Sequence, residues 1–407
     1  MSAFRIGLLG HGTVGAAFEA LIAARADAVE RVSGRRPEIV GVLTRSRGDF
    51  EELLERSELI VELIGGIEPA REYVHRSLEA GRHVVTANKQ LLSRHGEELW
   101  SLARERGLAL GFEAAVAGVV PVVRVLRESL AGAHVERIHG IVNGTTNFIL
   151  SEMTRTGCDY ADALADAQRQ GIAEADPTDD VGGADAAAKM AILARLAFGA
   201  PVHFDDVRYE GIAGITSDDI AYARELGLSL KLIGTAERLG GGISVRVHPA
   251  FLYDGHPLAS VNGAFNAVTV ESDAITEITM SGPGAGGSQT ASAVLGDVVA
   301  ALAGTPTLAG PTERLEFIED VVSAFYVHME VDDRPGVLAQ VAQRFGDAGA
   351  SIKSVVQQGG HGRRAQLMLV THPLARSSLA AALESIGRLD QVLAAPRAIS
   401  VINEEFV

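Results

Sequence analysis

The chain has 407 residues, 47% of them hydrophobic and 22% charged, with a formal net charge of -16 and one cysteine, Cys158. That length supports two or three separate cores; one cysteine excludes an internal disulfide and a disulfide-stapled secreted scaffold, and the negative charge argues against a nucleic-acid partner. MSAFRIGLLGHG lacks the regions of an export signal, and no apolar run reaches the roughly 20 residues that cross a bilayer, so a soluble, cytoplasmic protein with no membrane partner is expected.

In chain order, FRIGLL (4–9) reads as a buried parallel strand, followed by a glycine-rich turn and the helical pattern AAFEALIAARADAVERV. Apolar runs follow at 38–43, 59–64, 83–87 and 108–116, mostly separated by helix-like segments. That alternation predicts an α/β unit with a doubly wound parallel sheet. From about Ile138 the texture changes to IHGIVNGTTNFILSEM, an alanine-rich helix, a loop heavy in glycine and acids, and the helix AAAKMAILARLAFG. ISVRVHPAFL and AVTVESDAI alternate like strands, and SGPGAGGSQ introduces the helix TASAVLGDVVAAL, which is expected to return towards the first unit. After the connector PTLAGPTERL, residues 324–402 read strand, helix, strand, strand, helix, strand, a ferredoxin-like pattern.

Gly10, Gly12 and Gly15 form G-x-G-x-x-G between strand and helix, with Thr13 and Val14 opening the helix. Placed there, the glycines allow a tight turn, backbone approach to a pyrophosphate and close helix-sheet packing, and the helix N-terminus offers oriented N–H donors. A Rossmann-type dinucleotide-binding domain is expected over 1–135, completed by about 286–320, with an α+β catalytic and oligomerisation domain over 136–285. NAD-selective sites usually place an acid after the second strand; here Thr44, Arg45, Ser46 and Arg47 follow it. Arg45 is either one of a solvated pair or a partner for a 2′-phosphate, which makes NADP the expected cofactor and NAD the alternative.

Lys89, in VVTANKQLL, falls on a loop just after a strand, where open α/β sheets meet ligand. Alone it is either a solvated lysine or a group that polarises a substrate oxygen or holds a carboxylate. Glu174, Asp176, Asp179 and Asp180 crowd the loop before a helix carrying Asp185 and Lys189, which share one helical face, acid before base. The apolar run MAILARLAFG buries that helix and favours a fixed, functional ammonium over an exposed ion pair. The carboxylates are only a fragment of a calcium-loop pattern, and no histidine joins them. The expected substrate is therefore an amino-acid alcohol or aldehyde, its amine facing Glu174 and its reacting carbon near Lys189.

GLLGHGTVG, ELIGG, TANKQLL, FEAAVAGVVP, NGTTNFIL, EADPTDDVGGADAAAK and SGPGAGG occur in the order found in the homoserine dehydrogenase family, which the chain resembles along essentially its whole length. The resemblance implies hydride transfer between a nicotinamide cofactor and C4 of L-aspartate 4-semialdehyde or L-homoserine. It also implies Lys189 as proton donor to the nascent alkoxide, Lys89 as an aid to catalysis and substrate placement, and Asp185, Glu174 and Asp180 as substrate-contacting or orienting carboxylates. Asn143, Gly144, Thr145 and Thr146 resemble the segment joining cofactor and substrate sites, with a structural β-turn as the alternative, and the SGPGAGG loop with Gly284 reads as a further nicotinamide contact at a helix start or else as a flexible linker. FEAAVAGVVP resembles the family's monovalent-cation loop, which implies Glu113 and the carbonyls of Val116, Gly118 and Val120 around sodium or potassium, although Val119 and Val120 stand where the family commonly has glycine and isoleucine. A buried, hydrogen-bonded glutamate in a glycine-rich turn is the alternative.

MEVDDRPGVLAQVAQRFGDAGASI resembles the first strand, turn and helix of an ACT domain, which is expected over 324–407. That implies amino-acid binding between two such domains, with Asp333, Pro335, Gly336 and Val337 as candidate contacts for L-threonine, or else a dimerisation module without ligand. A homodimer or homotetramer is expected. The rival readings are another amino-acid-linked dehydrogenase and an amino-acid sensor with an inactive site; NGTTNFIL and the set Lys89, Asp185 and Lys189 argue against both. Histidines 11, 83, 95, 139 and 248 read as structural or surface groups, and Cys158 as a packed thiol.

Overall fold

The structure is a computed structural model that describes residues 3–304, 314–359 and 363–402. Strands β1 (Phe4–Leu9), β2 (Pro37–Leu43), β3 (Leu59–Glu62), β4 (His83–Thr86) and β5 (Leu110–Gly111) form a parallel sheet in the order β2-β1-β3-β4-β5. Both faces are covered, which is why the strands read as unbroken apolar runs. On one face Ile6, Leu8 and Val61 pack against α1 (Thr13–Ser33) and against the helix Gly287–Leu302, which returns from far along the chain. On the other, Leu9, Ile60 and Val84 meet α2 (Phe50–Arg56), α3 (Ala70–Glu79) and α4 (Lys89–Glu105). The strand order reverses between β1 and β3, so a crevice opens at the carboxyl edge there.

Two local expectations change. Lys89 is not on a loop but is the first residue of α4, because the Asn88 side chain caps the helix by accepting the Leu91 N–H at 3.0 Å. The run 108–116 is strand only at Leu110–Gly111 and then turns through Glu113–Ala115, where the Glu113 carboxylate accepts the N–H groups of Val123 and Arg124 and draws the chain round.

The middle of the chain forms an antiparallel sheet in the order Thr276–Pro283, Phe265–Ser272, β6 (Val135–Ile141), Leu228–Leu239, Gly242–Tyr253. Helices Gly144–Thr156, Ala184–Phe198 and Ser217–Glu225 cover one face. The strand Leu228–Leu239 and the helix Ser217–Glu225 are absent from the sequence expectations. Lys231 interrupts that strand's apolar run, yet its ammonium is satisfied by Val261 O at 2.6 Å and Asn262 Oδ1 at 3.0 Å. Gly234 interrupts it again, because any Cβ there would strike the Met190 side chain of the covering helix.

Residues from Val322 onward follow the expected βαββαβ order, with the four main strands arranged Arg397–Ile402, Val322–Asp332, Arg364–Thr371, Ile352–Gly359. Helices Val337–Asp347 and Arg376–Gly387 cover one face of that sheet. Its other face, with Tyr326, Met368 and Val370, packs into the central core. The last strand also pairs in parallel with Gly242–Tyr253, Ser400 opposite Ala250 and Ile402 opposite Leu252, so the C-terminal and central sheets are one continuous sheet. Most of the connector PTLAGPTERL lies outside the described residues. Among the described residues no helix is long and apolar enough to cross a membrane.

Candidate active site

The glycine turn lies at the carboxyl end of β1. Gly10 has φ 94°, and a Cβ there would sit 2.5 Å from the Leu63 carbonyl oxygen, so that position serves the turn itself. Gly12 differs: a Cβ there would meet no atom within 4 Å. Its openness leaves the turn accessible to a ligand. α1 starts at Thr13 with no side chain capping its first N–H groups, and Gly287, at the start of a second uncapped helix, comes within 3.1 Å of the Thr13 methyl when a Cβ is placed on it. Two helix N-termini therefore converge where a pyrophosphate would lie. Val14 is half-buried at the helix opening, and Gly15 packs on the Gly10 carbonyl. Arg45 is exposed just beyond β2, whose Leu43 carbonyl accepts the Gly10 N–H at 2.9 Å. These residues fit a dinucleotide.

Glu62, at the end of β3, is fully buried and organises the next two loops. It accepts the Ile64 N–H at 2.7 Å, the Gly65 N–H at 3.2 Å and the Thr86 hydroxyl at 2.6 Å. Burial pushes its carboxyl above the usual value, against the pull of those hydrogen bonds. Thr86 Oγ1 in turn accepts the Asn88 N–H at 3.0 Å, and the Asn88 amide donates to Gly66 O at 2.6 Å. The result is a fixed start for α4, with Lys89 at its head.

The segment after β5 is buried and tightly turned, with Ala117 at φ 56° and Gly118 at φ 67°. Glu113 accepts the Val123 and Arg124 N–H groups at 2.9 Å each, while its own N–H donates to Asp297 Oδ2 at 2.7 Å. Burial and the Asp297 carboxylate push the Glu113 carboxyl up to about 7. The Glu113 and Val120 carbonyls each accept one backbone N–H, at 3.3 Å from Val116 and 2.8 Å from Val122, which leaves a lone pair on each. Oxygen donors of this kind suit a hard monovalent cation. A Cβ on Gly118 would lie 2.7 Å from Pro283 O, so this loop rests directly on the loop that carries Gly284. Gly284 itself packs against Asn266 and donates its N–H to Ala264 O at 3.2 Å.

At the junction of the two sheets, Asp185 gathers two lysines from different parts of the chain. Its Oδ1 lies 2.6 Å from Lys89 Nζ and its Oδ2 2.7 Å from Lys189 Nζ, and its side chain is only 3% exposed. Burial alone would raise the Asp185 carboxyl, but the Lys189 and Lys89 ammonium groups hold it well below the usual carboxylate range. The Lys189 ammonium also donates to Val142 O at 2.7 Å. Burial lowers its pKa below the usual lysine value, with Lys89 adding to the depression and Asp185 opposing it. For Lys89 burial again acts downward, but Asp185 prevails and the group is raised. Asn143 ties the carboxylates together, donating to Asp180 Oδ1 at 2.7 Å and Asp185 Oδ2 at 2.8 Å, and its own side chain caps the helix opened by Gly144. Thr145 donates from Oγ1 to Asp180 Oδ2 at 3.1 Å.

These groups edge a cavity of about 310 Å³ lined by Lys89, Glu174, Asp176, Asp179, Asp180 and Asp185, among others. Lys189 stands behind Asp185 and is absent from the lining. The glycine turn, at the end of β1, and Lys89, just beyond the end of β4, share the carboxyl edge of one parallel sheet. Among the described residues no group of three or more His, Cys, Asp or Glu side chains is arranged to hold a metal ion.

A dinucleotide turn sharing its sheet edge with a cavity that holds two ammonium groups on one buried carboxylate defines a nicotinamide-dependent oxidoreductase of small polar substrates. Models of three families match in turn: "Homoserine dehydrogenase, NAD binding domain" over residues 10–113, "Homoserine dehydrogenase" over 121–299 and "ACT domain" over 326–391. The chain is 43% identical to the homoserine dehydrogenase of Corynebacterium glutamicum, covering 94% of this chain and 92% of that one, and 45% identical to that of Mycobacterium tuberculosis, covering 89% and 86%. The crystal structure of a homoserine dehydrogenase from Thiobacillus denitrificans superposes with a TM-score of 0.94 at 37% identity over 99% of both chains. A hyperthermophilic archaeal homoserine dehydrogenase in complex with NADPH superposes at 0.66 with 28% identity, over 76% of this chain and all of that one. The chain belongs to the homoserine dehydrogenase family, and carries the family's nicotinamide-dinucleotide-binding domain together with an ACT domain.

Sequence reasoning left out Glu62, Thr86, Asn88, Val142 and Asp297 as individual residues. Asn88 had a readable signal, since asparagine one residue ahead of a helical pattern is an N-cap signature. Val142 contributes only a carbonyl, which no side-chain pattern reveals. Glu62 and Asp297 lie in apolar runs, where a buried acid looks like a defect until its donors are in view.

Proposed function

We propose that the chain catalyses, in the cytoplasm, the reversible NADP(H)-dependent reduction of L-aspartate 4-semialdehyde to L-homoserine. The observation that carries this reading is the Asp185 carboxylate shared by Lys89 at 2.6 Å and Lys189 at 2.7 Å. The acidic lining with Glu174 and Asp180 receives the substrate ammonium, with Gly144 and Thr145 at the start of the neighbouring helix as further substrate-binding residues, Thr145 holding Asp180 through its hydroxyl. When bound, the nicotinamide supplies a hydride to the aldehyde carbon, or accepts one from the alcohol. Lys89, which faces the cavity, stabilises the negative charge that grows on the substrate oxygen. Lys189 supplies the proton, a role suited by its depressed pKa, while Asp185 fixes both ammonium groups and itself stays ionised. A second reading, favoured by Lys89 alone lining the cavity, exchanges the two lysines' roles.

The finer assignments rest on single features. Arg45 beside the glycine turn supports NADP over NAD, and Gly10, Gly12, Thr13, Val14, Gly15 and Gly284 frame the cofactor. Glu113 with the carbonyls of Val116, Gly118 and Val120 supports a sodium or potassium site, which would brace the Gly284 loop. The turn at Asp333–Val337, with Gly336 at φ 93° and no side chain capping the next helix, supports L-threonine binding. A homodimer or homotetramer follows from the usual pairing of such modules. Homoserine-dependent reduction of NADP and of NAD tests the reading; a folded protein that binds dinucleotide but turns over homoserine with neither would refute it.

A further inference from the structure

The seam where the C-terminal sheet joins the central sheet carries a second cavity, remote in the fold from the lysine pair. Its volume is about 480 Å³, and a smaller lobe of about 60 Å³ shares His248, Phe325, Arg376 and Ser400 with it. That size lies within the range of small-molecule sites. The parallel pairing of Arg397–Ile402 with Gly242–Tyr253 runs beside it, and the helix Arg376–Gly387 and residues 210–215 supply further lining.

Its chemistry is unbalanced. Arg376 lines both lobes, and its guanidinium has no hydrogen bond or ion pair among the described residues, whereas Arg397, also lining, is held by Asp219 at 2.9 Å and by Gly214 O. His248 Nδ1 is buried without a hydrogen-bond partner among the described residues. Burial, with the nearby Arg246 and Arg376 guanidinium groups adding to it, holds His248 down to about 3, so the imidazole stands neutral at this wall. Leu379, Leu383 and Ile215 add an apolar flank, and Glu210 is a lining carboxylate with no side-chain partner among the described residues. A guanidinium without a protein partner among the described residues and an aliphatic wall in one cavity are the complement of a small organic anion.

We propose that this seam cavity binds a small carboxylate ligand, with Arg376 as its anion partner. Glu210 offers a place for an ammonium group on the same molecule, so the carboxylate belongs either to a free amino acid or to an oxo acid of similar size. The site is separate from the Asp333–Val337 turn at the other strand-helix junction. A ligand here would touch both the central sheet and the C-terminal module.

The test uses the full-length protein, with L-isoleucine and 2-oxobutyrate as probes at millimolar concentration, read by thermal shift and titration calorimetry. Variants are Arg376→Ala and Ala380→Trp to fill the cavity, each first shown to keep wild-type homoserine turnover, with Asp333→Ala for comparison. At least one probe should bind the wild type, about tenfold or more weakly to Arg376→Ala and to Ala380→Trp, and unchanged to Asp333→Ala. Binding of L-isoleucine alone identifies an amino acid as the ligand; binding of 2-oxobutyrate as well identifies the carboxylate as sufficient. No binding of any probe to the wild type, or binding that survives either Arg376→Ala or Ala380→Trp, overturns the proposal while leaving the catalytic reading intact.

Discussion

The two ends of the active site are built from different materials. At the proposed cofactor end the candidate groups are backbone: Gly12 offers an absence of side chain, and two helix starts offer N–H donors. At the substrate end they are side chains, with Asp185 holding Lys89 and Lys189 that are far apart in the chain. A backbone site is tuned by what fits, so its failures are steric. A side-chain site is tuned by charge in a place with little water, so its failures are electrostatic and larger.

The largest predicted effect therefore belongs to the lysine pair. Lys189→Ala should lower kcat for homoserine oxidation by roughly 10² to 10⁴, the span of a lost general acid or base, with dinucleotide affinity unchanged in a binding titration. Lys89→Ala should lower kcat and also raise KM for homoserine, because Lys89 lines the cavity and Lys189 does not. If Lys89→Ala removes the pH dependence and Lys189→Ala leaves it, the two roles are exchanged.

The pH profile sharpens the same contrast. With Lys189 as the proposed proton donor, the rate of aldehyde reduction should fall as pH rises through that group's folded pKa, which burial sets below the ordinary lysine value. Oxidation of homoserine requires the neutral amine and should rise through the same window. Measured kcat profiles in the two directions should thus have opposite slopes at alkaline pH, and parallel slopes would exclude Lys189 as the proton-transfer group.

The backbone end predicts a smaller and different loss. Gly12 has φ -79°, acceptable to alanine, and room for a Cβ. Gly12→Ala should fold normally but raise KM for the dinucleotide about tenfold, equivalent to about 1.4 kcal/mol. Gly10→Ala should instead unfold at lower temperature, since φ 94° and the Leu63 carbonyl both oppose a side chain; the left-handed conformation alone costs about 1–2 kcal/mol. Equal thermal stability in the two variants would break the distinction between a glycine kept for ligand and one kept for the turn. Arg45→Ala should lower kcat/KM for NADP by about tenfold, the cost of roughly one charge-assisted contact, and leave NAD nearly untouched.

The same difference explains what was legible. Strand, glycine turn and helix are local in sequence, so β1 and the opening of α1 could be read from a dozen residues. The βαββαβ order of the C-terminal module is likewise a succession of local patterns. The Asp185 and Lys189 pair was visible through helical spacing, but the approach of Lys89 to the same carboxylate depends on how two sheets meet, which no periodicity encodes. Leu228–Leu239 escaped because a satisfied lysine and a contact glycine disguise its alternation. The fusion of two sheets through Ser400 and Ala250 is long-range pairing and left no local sign.

The smallest predicted effect tests the link between the two ends. Gly118 and Gly284 belong to loops that touch, so a cation held by the Glu113 to Val120 segment would act on the nicotinamide side without entering the substrate cavity. Replacing sodium and potassium salts by choline chloride at constant ionic strength should cause a few-fold fall in activity, expressed mainly as a higher KM for NADP and little in KM for homoserine. Constant ionic strength matters because the acidic cavity responds to screening by itself. Val119 adds bulk beside this loop, and a Cβ on Gly282 would come within 3.1 Å of its side chain. Val119→Gly should therefore loosen the contact and deepen the dependence on cation, since less of the loop's order would then come from packing. If choline leaves both KM values and the melting temperature unchanged, the buried Glu113 serves the turn alone, through the two N–H groups it already accepts.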